Sequence, residues 1–359
     1  MFKKLVALFF ACVCSSCVGM SIENKVGQLL MVSFHGEVAN EDAKVLIQEV
    51  NVGGIIYYNW SNGLHSPEQV RDLSAGLQEL AGDIPLLIAT DQEGGRVTRL
   101  KNGFAQMPGN QVVGDSGDPD RAYAAALTMG HEMQAVGINM NLAPVVDVNS
   151  NPRNPIIGSR SFGNSPEIVV AFARQALDGY RDAEMIATLK HFPGHGDTEV
   201  DSHKDLPIVL KSIDELKAVE LAPFAQLADR APVIMTAHLL VPALDADHCS
   251  TISEKTLSYL RNEIGFQGVI ISDSLVMQGV LNECQTVDEA AIAALKAGCD
   301  ILLLGGRQLI GESQVELTVE DVQRIHTSLV QAIQQKRISE ERLNQAVSRV
   351  LALKKGYIR

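Results

Sequence analysis

The sequence predicts a single (β/α)8 barrel of the TIM type that extends from about residue 22 to the C-terminus, with no second domain. Short runs of valine, isoleucine and leucine alternate with stretches of helical period, which is typical of parallel βαβ units. Eight such runs occur, and eight βα units favour a closed barrel over an open sheet. The 359 residues are enough for one barrel of this kind.

The apolar runs give the predicted strands, and helices are predicted between and after them. The strands lie near Leu29–Phe34, Gly54–Tyr58, Leu86–Thr90, Met140–Val145, Met185–Leu189, Val233–Ala237, Val269–Ser272 and Ile301–Leu304. Amphipathic spacing predicts helices over Ser66–Leu80 and Asp120–Val136. Two further helices, Val319–Gln335 and Ser339–Lys354, end the chain, and Ser339 is the expected N-cap of the last one.

The composition is that of a folded, acidic protein. Hydrophobic residues make up 46% of the chain and charged residues 20%, and the formal net charge is −13. This charge argues against nucleic acid as a partner, because phosphate backbones bind basic surfaces. Outside the N-terminal segment, Cys249, Cys284 and Cys299 form an odd set at wide spacing, so the sequence predicts neither a disulfide framework nor a zinc site.

The N-terminal segment has the organisation of an export signal. Two lysines precede the apolar run Leu5–Val13, which is too short for a stable membrane anchor, and small residues lead to Cys17. This order resembles a bacterial lipoprotein signal, so residues 1–17 are predicted to be a signal peptide with Cys17 as the lipid acceptor. Cys14 stands where leucine or valine is usual, and Cys12 is a competing acceptor. The predicted location is the cell envelope, lipid-anchored or periplasmic, with the cytoplasm as the alternative.

Polar residues collect where the predicted strands end. In such barrels the catalytic side chains lie at the carboxyl ends of the strands. The residues found there are Asp91, Glu93, Arg96, Arg99, Asp147, Asn149, Arg160, Lys190, His191, His238, Asp273 and Arg307. Folding alone does not require charge directly after most of the apolar strands, so the pattern predicts an active site at this end of the barrel.

The segment after the fifth strand is the richest in such residues. Pro193, Gly194 and Gly196 predict a loop shaped by backbone constraint rather than a helix. Asp201 and His203 are two residues apart, so the carboxylate is able to hydrogen-bond the imidazole, as in a catalytic dyad. The spacing by itself is also compatible with a loop that has no catalytic role.

This loop resembles the signature of glycoside hydrolase family 3, in its β-N-acetylglucosaminidase branch. The resemblance rests on Lys190–Gly196 followed by Asp201, Ser202 and His203. Further matching stretches follow in the family's order, namely Gly27–Met31, Thr90–Val97, Gly158–Phe162, Gly265–Ile270 with Ser272 and Asp273, and Ala297–Asp300. The resemblance extends from about residue 22 to the C-terminus.

The resemblance implies a role for each matching residue. Asp273 matches the nucleophile, His203 the general acid/base and Asp201 its dyad partner. The residues that match those holding the terminal sugar are Asp91, Arg99, Arg160, Lys190 and His191. Ser274 stands where the family often has a second aspartate. Other members take a glutamate acid/base from a second domain, for which the predicted barrel leaves no room, as expected of the branch that uses a loop histidine.

The implied function is that of a retaining exo-β-N-acetylglucosaminidase. It would hydrolyse terminal β-linked N-acetylglucosamine from peptidoglycan fragments in cell-wall turnover or recycling, through a covalent glycosyl-enzyme on Asp273. The positive charges of Lys190, Arg99 and Arg160 are expected to keep that carboxylate ionised. The glycine-rich loop is expected to bring His203 in after substrate binds. We expect a monomer with a possible lipid anchor, no cofactor and no metal.

Four alternatives remain open at this point. The first is a phosphorylase that uses phosphate as acceptor, and the second is a non-catalytic, lipid-anchored glycan-binding protein. The third is a metal hydrolase with ligands drawn from His195, His203, Asp197 and Asp201. The fourth is an aldolase-like lyase that forms a Schiff base on Lys190 and binds phosphate with its glycine-rich turn after the eighth strand.

Overall fold

A computed structural model of the chain describes residues 19–310 and 313–358. The predicted signal peptide, residues 1–17, therefore lies outside the described residues. Within the described ranges, none of the helices combines the length and the apolar character that a membrane span requires.

Twelve strands and fourteen α-helices make up the described ranges. The strands are β1 Leu30–Val32, β2 Gly54–Ile56, β3 Leu87–Thr90, β4 Gln92–Gly94, β5 Val97–Thr98, β6 Met140–Asn141, β7 Ile186–Phe192, β8 Val233–Thr236, β9 Val269–Ile271, β10 Leu302–Leu303, β11 Gln308–Ile310 and β12 Ser313–Val315. The helices are α1 Ile22–Gly27, α2 Glu41–Lys44, α3 Asn59–Asn62, α4 Pro67–Leu80, α5 Asn110–Asp115, α6 Asp120–Ala135, α7 Pro166–Asp182, α8 Ile213–Ala218, α9 Ala222–Leu227, α10 Glu254–Asn262, α11 Gln278–Cys284, α12 Val287–Ala297, α13 Val319–Gln334 and α14 Glu340–Tyr357. A π-helical turn, Val45–Glu49, continues α2, and 3₁₀ turns lie at Gly158–Arg160 and Ser250–Ile252.

Eight parallel strands form the predicted barrel. Their order is β10-β1-β2-β3-β6-β7-β8-β9, and all eight are buried. The ring closes through a parallel bridge between Ile271 and Ile301, where the Ser272 amide donates to the Ile301 carbonyl at 2.9 Å. Because both strand faces are covered, most of these strands are apolar runs rather than alternating ones. The predicted fold class and all eight predicted strands are confirmed.

The predicted helices are also present, and serine side chains cap the N-termini of two of them. The Ser66 hydroxyl accepts from the Gln69 amide and starts α4, and the Ser339 hydroxyl accepts from the Arg342 amide and starts α14. The last helix continues to Tyr357, three residues beyond the predicted end.

Two hairpins at the carboxyl end of the barrel were not predicted. One is β4–β5 in the loop after β3, and the other is β11–β12 in the loop after β10. A register shift in the pairing of β7 with β8 falls between Leu189 and Phe192. Such an irregularity re-aims side chains next to a site, and here it affects Lys190 and His191.

A buried lysine lies far from this end of the barrel. Lys354 of α14 is 2% exposed, and its Nζ donates to Gln28 Oε1 at 2.7 Å. Gln28 precedes β1, so the pair lies near the amino ends of the strands. Burial lowers the pKa of Lys354 from its usual 10.5 to about 7.

We expect the Lys354→Met variant to melt at a higher temperature than the wild type, most clearly below neutral pH. Between about pH 7 and 10.5 the unfolded chain binds a proton at Lys354 that the folded chain lacks, so wild-type stability rises with pH across this window. Below this window the penalty for charging buried Lys354 is complete, on the order of 5 kcal/mol for the shift from 10.5 to about 7, and methionine removes it.

Thermal melts followed by circular dichroism at about pH 6 and pH 9.5 measure the effect. The gain should shrink at the higher pH. Lys355→Met, at the exposed neighbouring position, is the control. An equal change in melting temperature at both pH values would contradict the account.

Candidate active site

A cavity of about 490 Å³ opens at the carboxyl end of the barrel strands. All of the predicted site residues except Asp201 line it, namely Asp91, Arg99, Arg160, Lys190, His191, His203 and Asp273. Asp201 is bound to His203. The strand ends therefore bring the predicted residues around one cavity.

An alternating network of charges forms one wall of the cavity. Lys190 Nζ lies 2.9 Å from Asp91 Oδ1 and 2.7 Å from Glu93 Oε1. Arg160 contacts both oxygens of Glu93, at 2.9 and 2.8 Å. Arg99 Nη2 lies 3.3 Å from Asp91 Oδ2. Three cations thus share two carboxylates, and the whole group keeps its charges inside the protein.

The charges in this network stabilise one another. Burial by itself would raise the pKa of the Asp91 carboxyl, but Lys190 and Arg99 outweigh it and hold that pKa far below its usual range. Burial likewise favours neutral Lys190, but its carboxylate partners raise the pKa of its ammonium above the ordinary value. A lysine held protonated is a poor Schiff-base nucleophile, so the geometry disfavours the lyase alternative.

His191 is oriented by the buried Asp147. His191 Nδ1 lies 2.6 Å from Asp147 Oδ2, and the backbone amides of His191 and His195 donate to the other carboxylate oxygen at 3.2 and 2.6 Å. Arg160 Nη2 is 3.3 Å from His191 Nε2. A guanidinium only donates, so Nε2 accepts and the ring proton is on Nδ1. Asp147 is therefore an orienting residue, a role that the sequence left undecided.

Asp273 follows β9 and is fixed through its backbone. Its amide donates to Thr236 Oγ1 at 3.2 Å, and Asp273 Oδ1 accepts from the Ser274 amide at 2.7 Å. Burial would raise the pKa of the Asp273 carboxyl, but the imidazoles of His238, His191 and His203 and the Ser274 amide lower it below its ordinary value. Asp273 is therefore ionised at neutral pH.

The three cations expected to keep Asp273 ionised are paired in the neighbouring network. Lys190, Arg99 and Arg160 contact Asp91 and Glu93, and their effect on Asp273 stays a prediction. The largest lowering effects on the Asp273 pKa come from the surrounding histidines.

His203 and Asp201 make the contact that their spacing allows. His203 Nδ1 lies 2.9 Å from Asp201 Oδ1, which also accepts from the His203 amide at 2.9 Å. With Nδ1 engaged, Nε2 is the nitrogen available to the cavity. The His203 side chain is 48% exposed. Partial burial lowers the pKa of its imidazole, but Asp201 and Asp273 raise it, with a net rise above the ordinary value.

The loop that carries His203 is anchored on both sides. The Ser202 carbonyl accepts from the Gly279 amide at 3.0 Å, and Asn282 donates to Asp205 at 2.7 Å, so the loop lies on α11. Near its other end, Lys211 bridges Glu220 and Asp197 at 2.5 and 3.2 Å. These contacts hold His203 at the cavity that Asp273 lines. Movement of the loop upon substrate binding stays a prediction.

His195 serves this loop rather than a metal. Its Nε2 lies 3.1 Å from the Ser202 hydroxyl and its Nδ1 2.8 Å from the Thr198 hydroxyl. Burial lowers the pKa of His195 to about 4, so the ring is neutral. Both nitrogens are occupied by hydroxyls, and across residues 19–310 and 313–358 no three His, Cys, Asp or Glu side chains are grouped to hold an ion.

The mouth of the cavity includes residues that the sequence did not assign. Trp60 is stacked on Tyr58 with ring centroids 4.5 Å apart. The guanidinium of Arg307 lies 4.7 Å from the Trp60 ring centroid and that of Arg99 lies 5.2 Å from it. Glu93, which the sequence placed at a strand end without a role, has a side chain that is 1% exposed and anchors Arg160 and Lys190. Its position at a strand end was the signal that pointed to it.

A parallel barrel in which a carboxylate and an Asp-bound imidazole line one cavity at the strand ends has the architecture of a glycoside hydrolase. The chain belongs to glycosyl hydrolase family 3: the family's N-terminal domain matches residues 21–353. The resemblance inferred from the loop signature is therefore confirmed.

The relatives carry consistent names. A beta-hexosaminidase A of Pseudoalteromonas piscicida is 36% identical over 332 residues, which are 86% of this chain and 54% of that protein. A beta-hexosaminidase of Alkalilimnicola ehrlichii is 39% identical over 282 residues, 77% of this chain and 80% of the relative. The structure of a family 3 beta-N-acetylglucosaminidase from Paenibacillus sp. str. FPU-7 matches with a TM-score of 0.89 and 43% identity, over 94% of this chain and 63% of that one. The chain thus spans about half of the first relative and most of the second.

Proposed function

We propose that this chain is a retaining exo-β-N-acetylglucosaminidase that removes terminal β-linked N-acetylglucosamine from peptidoglycan fragments. The observation that carries the proposal is the cavity lined by both ionised Asp273 and the Asp201-bound His203. A retaining glycosidase needs a nucleophile and an acid on opposite sides of the scissile bond. The names of the three relatives support the β-N-acetylglucosaminide as substrate.

In the first step the Asp273 carboxylate attacks the anomeric carbon. The bond from that carbon to the glycosidic oxygen breaks, and the Nε2 proton of His203 goes to the departing oxygen. The product is a glycosyl ester on Asp273, with inverted configuration at the anomeric carbon. Asp91, Lys190 and the two arginines of the network offer acceptors and donors to the hydroxyls of the bound sugar.

In the second step neutral His203 takes a proton from water, and the hydroxyl displaces Asp273. The second inversion restores the β configuration. The charge of Asp273 contributes to the raised pKa of His203. Esterification removes that charge, so the pKa of His203 falls when the imidazole must act as a base. The same residue therefore meets the needs of both steps.

The Asp201→Asn variant should move the alkaline limb of the pH profile. Asp201 raises the pKa of His203 through its hydrogen bond and its charge, so a neutral amide lets that pKa fall. His203 must be protonated in the free enzyme, and kcat/KM should therefore decline at lower pH than in the wild type. The measurement is kcat/KM against pH with a disaccharide substrate. If the alkaline limb does not move, Asp201 does not raise the pKa that controls kcat/KM.

The substrate test compares two aryl glycosides and two buffers. 4-Nitrophenyl N-acetyl-β-D-glucosaminide should be hydrolysed, and 4-nitrophenyl β-D-glucoside should not; activity on the glucoside alone would refute the N-acetyl assignment.

In phosphate, release of N-acetylglucosamine 1-phosphate would identify a phosphorylase, because an imidazole tolerates an anionic acceptor better than a carboxylate would. For the natural substrate, release of N-acetylglucosamine from a soluble peptidoglycan disaccharide is the expected result.

The cell envelope remains our proposed location. It is supported by the sequence of residues 1–17 alone, with Cys17 as the lipidated residue. We expect wild-type protein in the membrane fraction of the expressing bacterium and the Cys17→Ser variant outside that fraction. Wild-type protein found wholly in the cytosol would refute this proposal without affecting the catalytic one.

A further inference from the structure

We infer that a closed ring of buried hydrogen bonds through Thr236, Thr251 and His238 positions the nucleophile; the inference rests on the proposed function of Asp273. None of these three side chains lines the cavity, and each is wholly buried. They are positioning residues. The ring begins and ends on the backbone that carries the attacking carboxylate.

The ring has four contacts. The Asp273 amide lies 3.2 Å from Thr236 Oγ1, and Thr236 Oγ1 lies 2.8 Å from Thr251 Oγ1. Thr251 Oγ1 lies 2.9 Å from His238 Nδ1, and His238 Nε2 lies 2.8 Å from the Ser274 carbonyl oxygen. The β8 strand end, the 3₁₀ turn before α10 and the residues after β9 are thereby joined.

The fixed donors and acceptors limit how protons are arranged around the ring. A carbonyl only accepts, so His238 Nε2 carries the imidazole proton and Nδ1 is the acceptor. In the neutral ring Thr251 is able to donate its hydroxyl proton to Nδ1, and the same hydroxyl also lies 3.1 Å from the Ala237 carbonyl, which is able to accept it. Thr236 donates to Thr251 and accepts from the Asp273 amide.

Donation from Thr251 to Nδ1 requires a neutral His238. Its ring is fully buried, and burial lowers the pKa of His238 below its ordinary value, although Asp273 opposes that effect. A protonated Nδ1 would instead donate to the Thr251 oxygen and leave Thr251 to donate to the Ala237 carbonyl. The four contacts close the ring in either state, and burial favours the neutral one.

The ring limits how the Asp273 carboxylate can move. The Asp273 amide and the Ser274 carbonyl are held by the ring, while the Ser274 hydroxyl donates to the Gly305 carbonyl at 2.5 Å. The Ser274 amide occupies Asp273 Oδ1, which leaves Oδ2 for attack. Displacement of a reacting atom by about 1 Å can cost roughly 100-fold in rate, so loss of the ring should slow formation of the glycosyl-enzyme.

The test compares Thr251→Val, which keeps the shape of the side chain but lacks the hydroxyl, with Thr251→Ser, which keeps the hydroxyl. We expect the valine variant to lose roughly 10- to 100-fold in kcat/KM, by the same factor on an activated aryl N-acetylglucosaminide and on a disaccharide. The serine variant should stay within about threefold of wild type. An equal loss on both substrates distinguishes a displaced nucleophile from a loss of acid catalysis, which spares the activated substrate.

Rates are normalised to folded enzyme by circular dichroism, and Thr327→Val, at an exposed threonine on α13, is the control. If Thr251→Val does not fold, the Thr236→Val and Thr236→Ser pair tests the same ring. Full activity of the valine variant, or an equal loss in the serine variant, would overturn the inference. A wild type inactive on N-acetylglucosaminides would overturn the proposed function and the inference with it.

Discussion

The Asp273→Asn variant is expected to lose about 10⁴-fold or more of kcat/KM on 4-nitrophenyl N-acetyl-β-D-glucosaminide. Asparagine keeps the size of the side chain and an oxygen for the Ser274 amide. It cannot form the glycosyl ester, because an amide is a weak nucleophile and a poor leaving group. The loss should therefore appear without a large change in melting temperature.

The control for this variant is Asp83→Asn, which changes an exposed aspartate in the turn before β3. It should retain wild-type kinetics. Burst measurements add a second test: the wild type forms the intermediate, and Asp273→Asn should release no rapid equivalent of nitrophenol. Retention of a tenth or more of wild-type activity by purified Asp273→Asn would remove this residue from the nucleophile role.

The His203→Ala variant is expected to discriminate between substrates. On a disaccharide, whose leaving oxygen needs a proton, kcat/KM should fall roughly 10²- to 10⁴-fold. On an activated aryl glycoside the first step should be nearly unchanged, because nitrophenolate departs without protonation. The second step loses its base, so the glycosyl-enzyme should accumulate and give a burst followed by slow turnover.

His131→Ala, at an exposed position on α6, is the matched control and should leave both substrates unaffected. The decisive quantity is the ratio of the losses on the two substrates. If His203→Ala lowers kcat/KM equally on both, the histidine holds the loop or the sugar and does not transfer the proton.

The sequence was most informative where the chemistry is local. Each strand is a short apolar run with charge directly after it, so the barrel and the place of Asp273 follow from the pattern. The Asp201–His203 contact lies within one turn of chain, and spacing alone made it possible. Its role came from the family resemblance, since a two-residue spacing also occurs in loops without catalytic function.

Long-range pairing was beyond the sequence. Glu93 pairs with Lys190 and Arg160, and Asp147 with His191, across separations that only the closed barrel brings together. Without those partners, the sequence did not show that the cations near Asp273 are themselves paired. Carboxylates that pair within a network reduce the effect of its cations on other groups.

The hairpin β11–β12 shows a different limit. Its strands are three residues each, shorter than a pattern of alternation can establish. It nevertheless brings Gln314 to the cavity beside Arg307. Short elements of this kind are determined by the loops and strand ends on which they fold.

The central claim is that catalysis passes through a covalent intermediate on Asp273. Wild-type protein would be treated with an N-acetylglucosaminyl fluoride that carries fluorine at C5, so that the intermediate forms faster than it hydrolyses, and then digested and analysed by mass spectrometry. The account predicts one fluorosugar per chain on the peptide that contains Asp273, and none in Asp273→Asn. A label on another residue, or turnover with inverted configuration and no label, would contradict it.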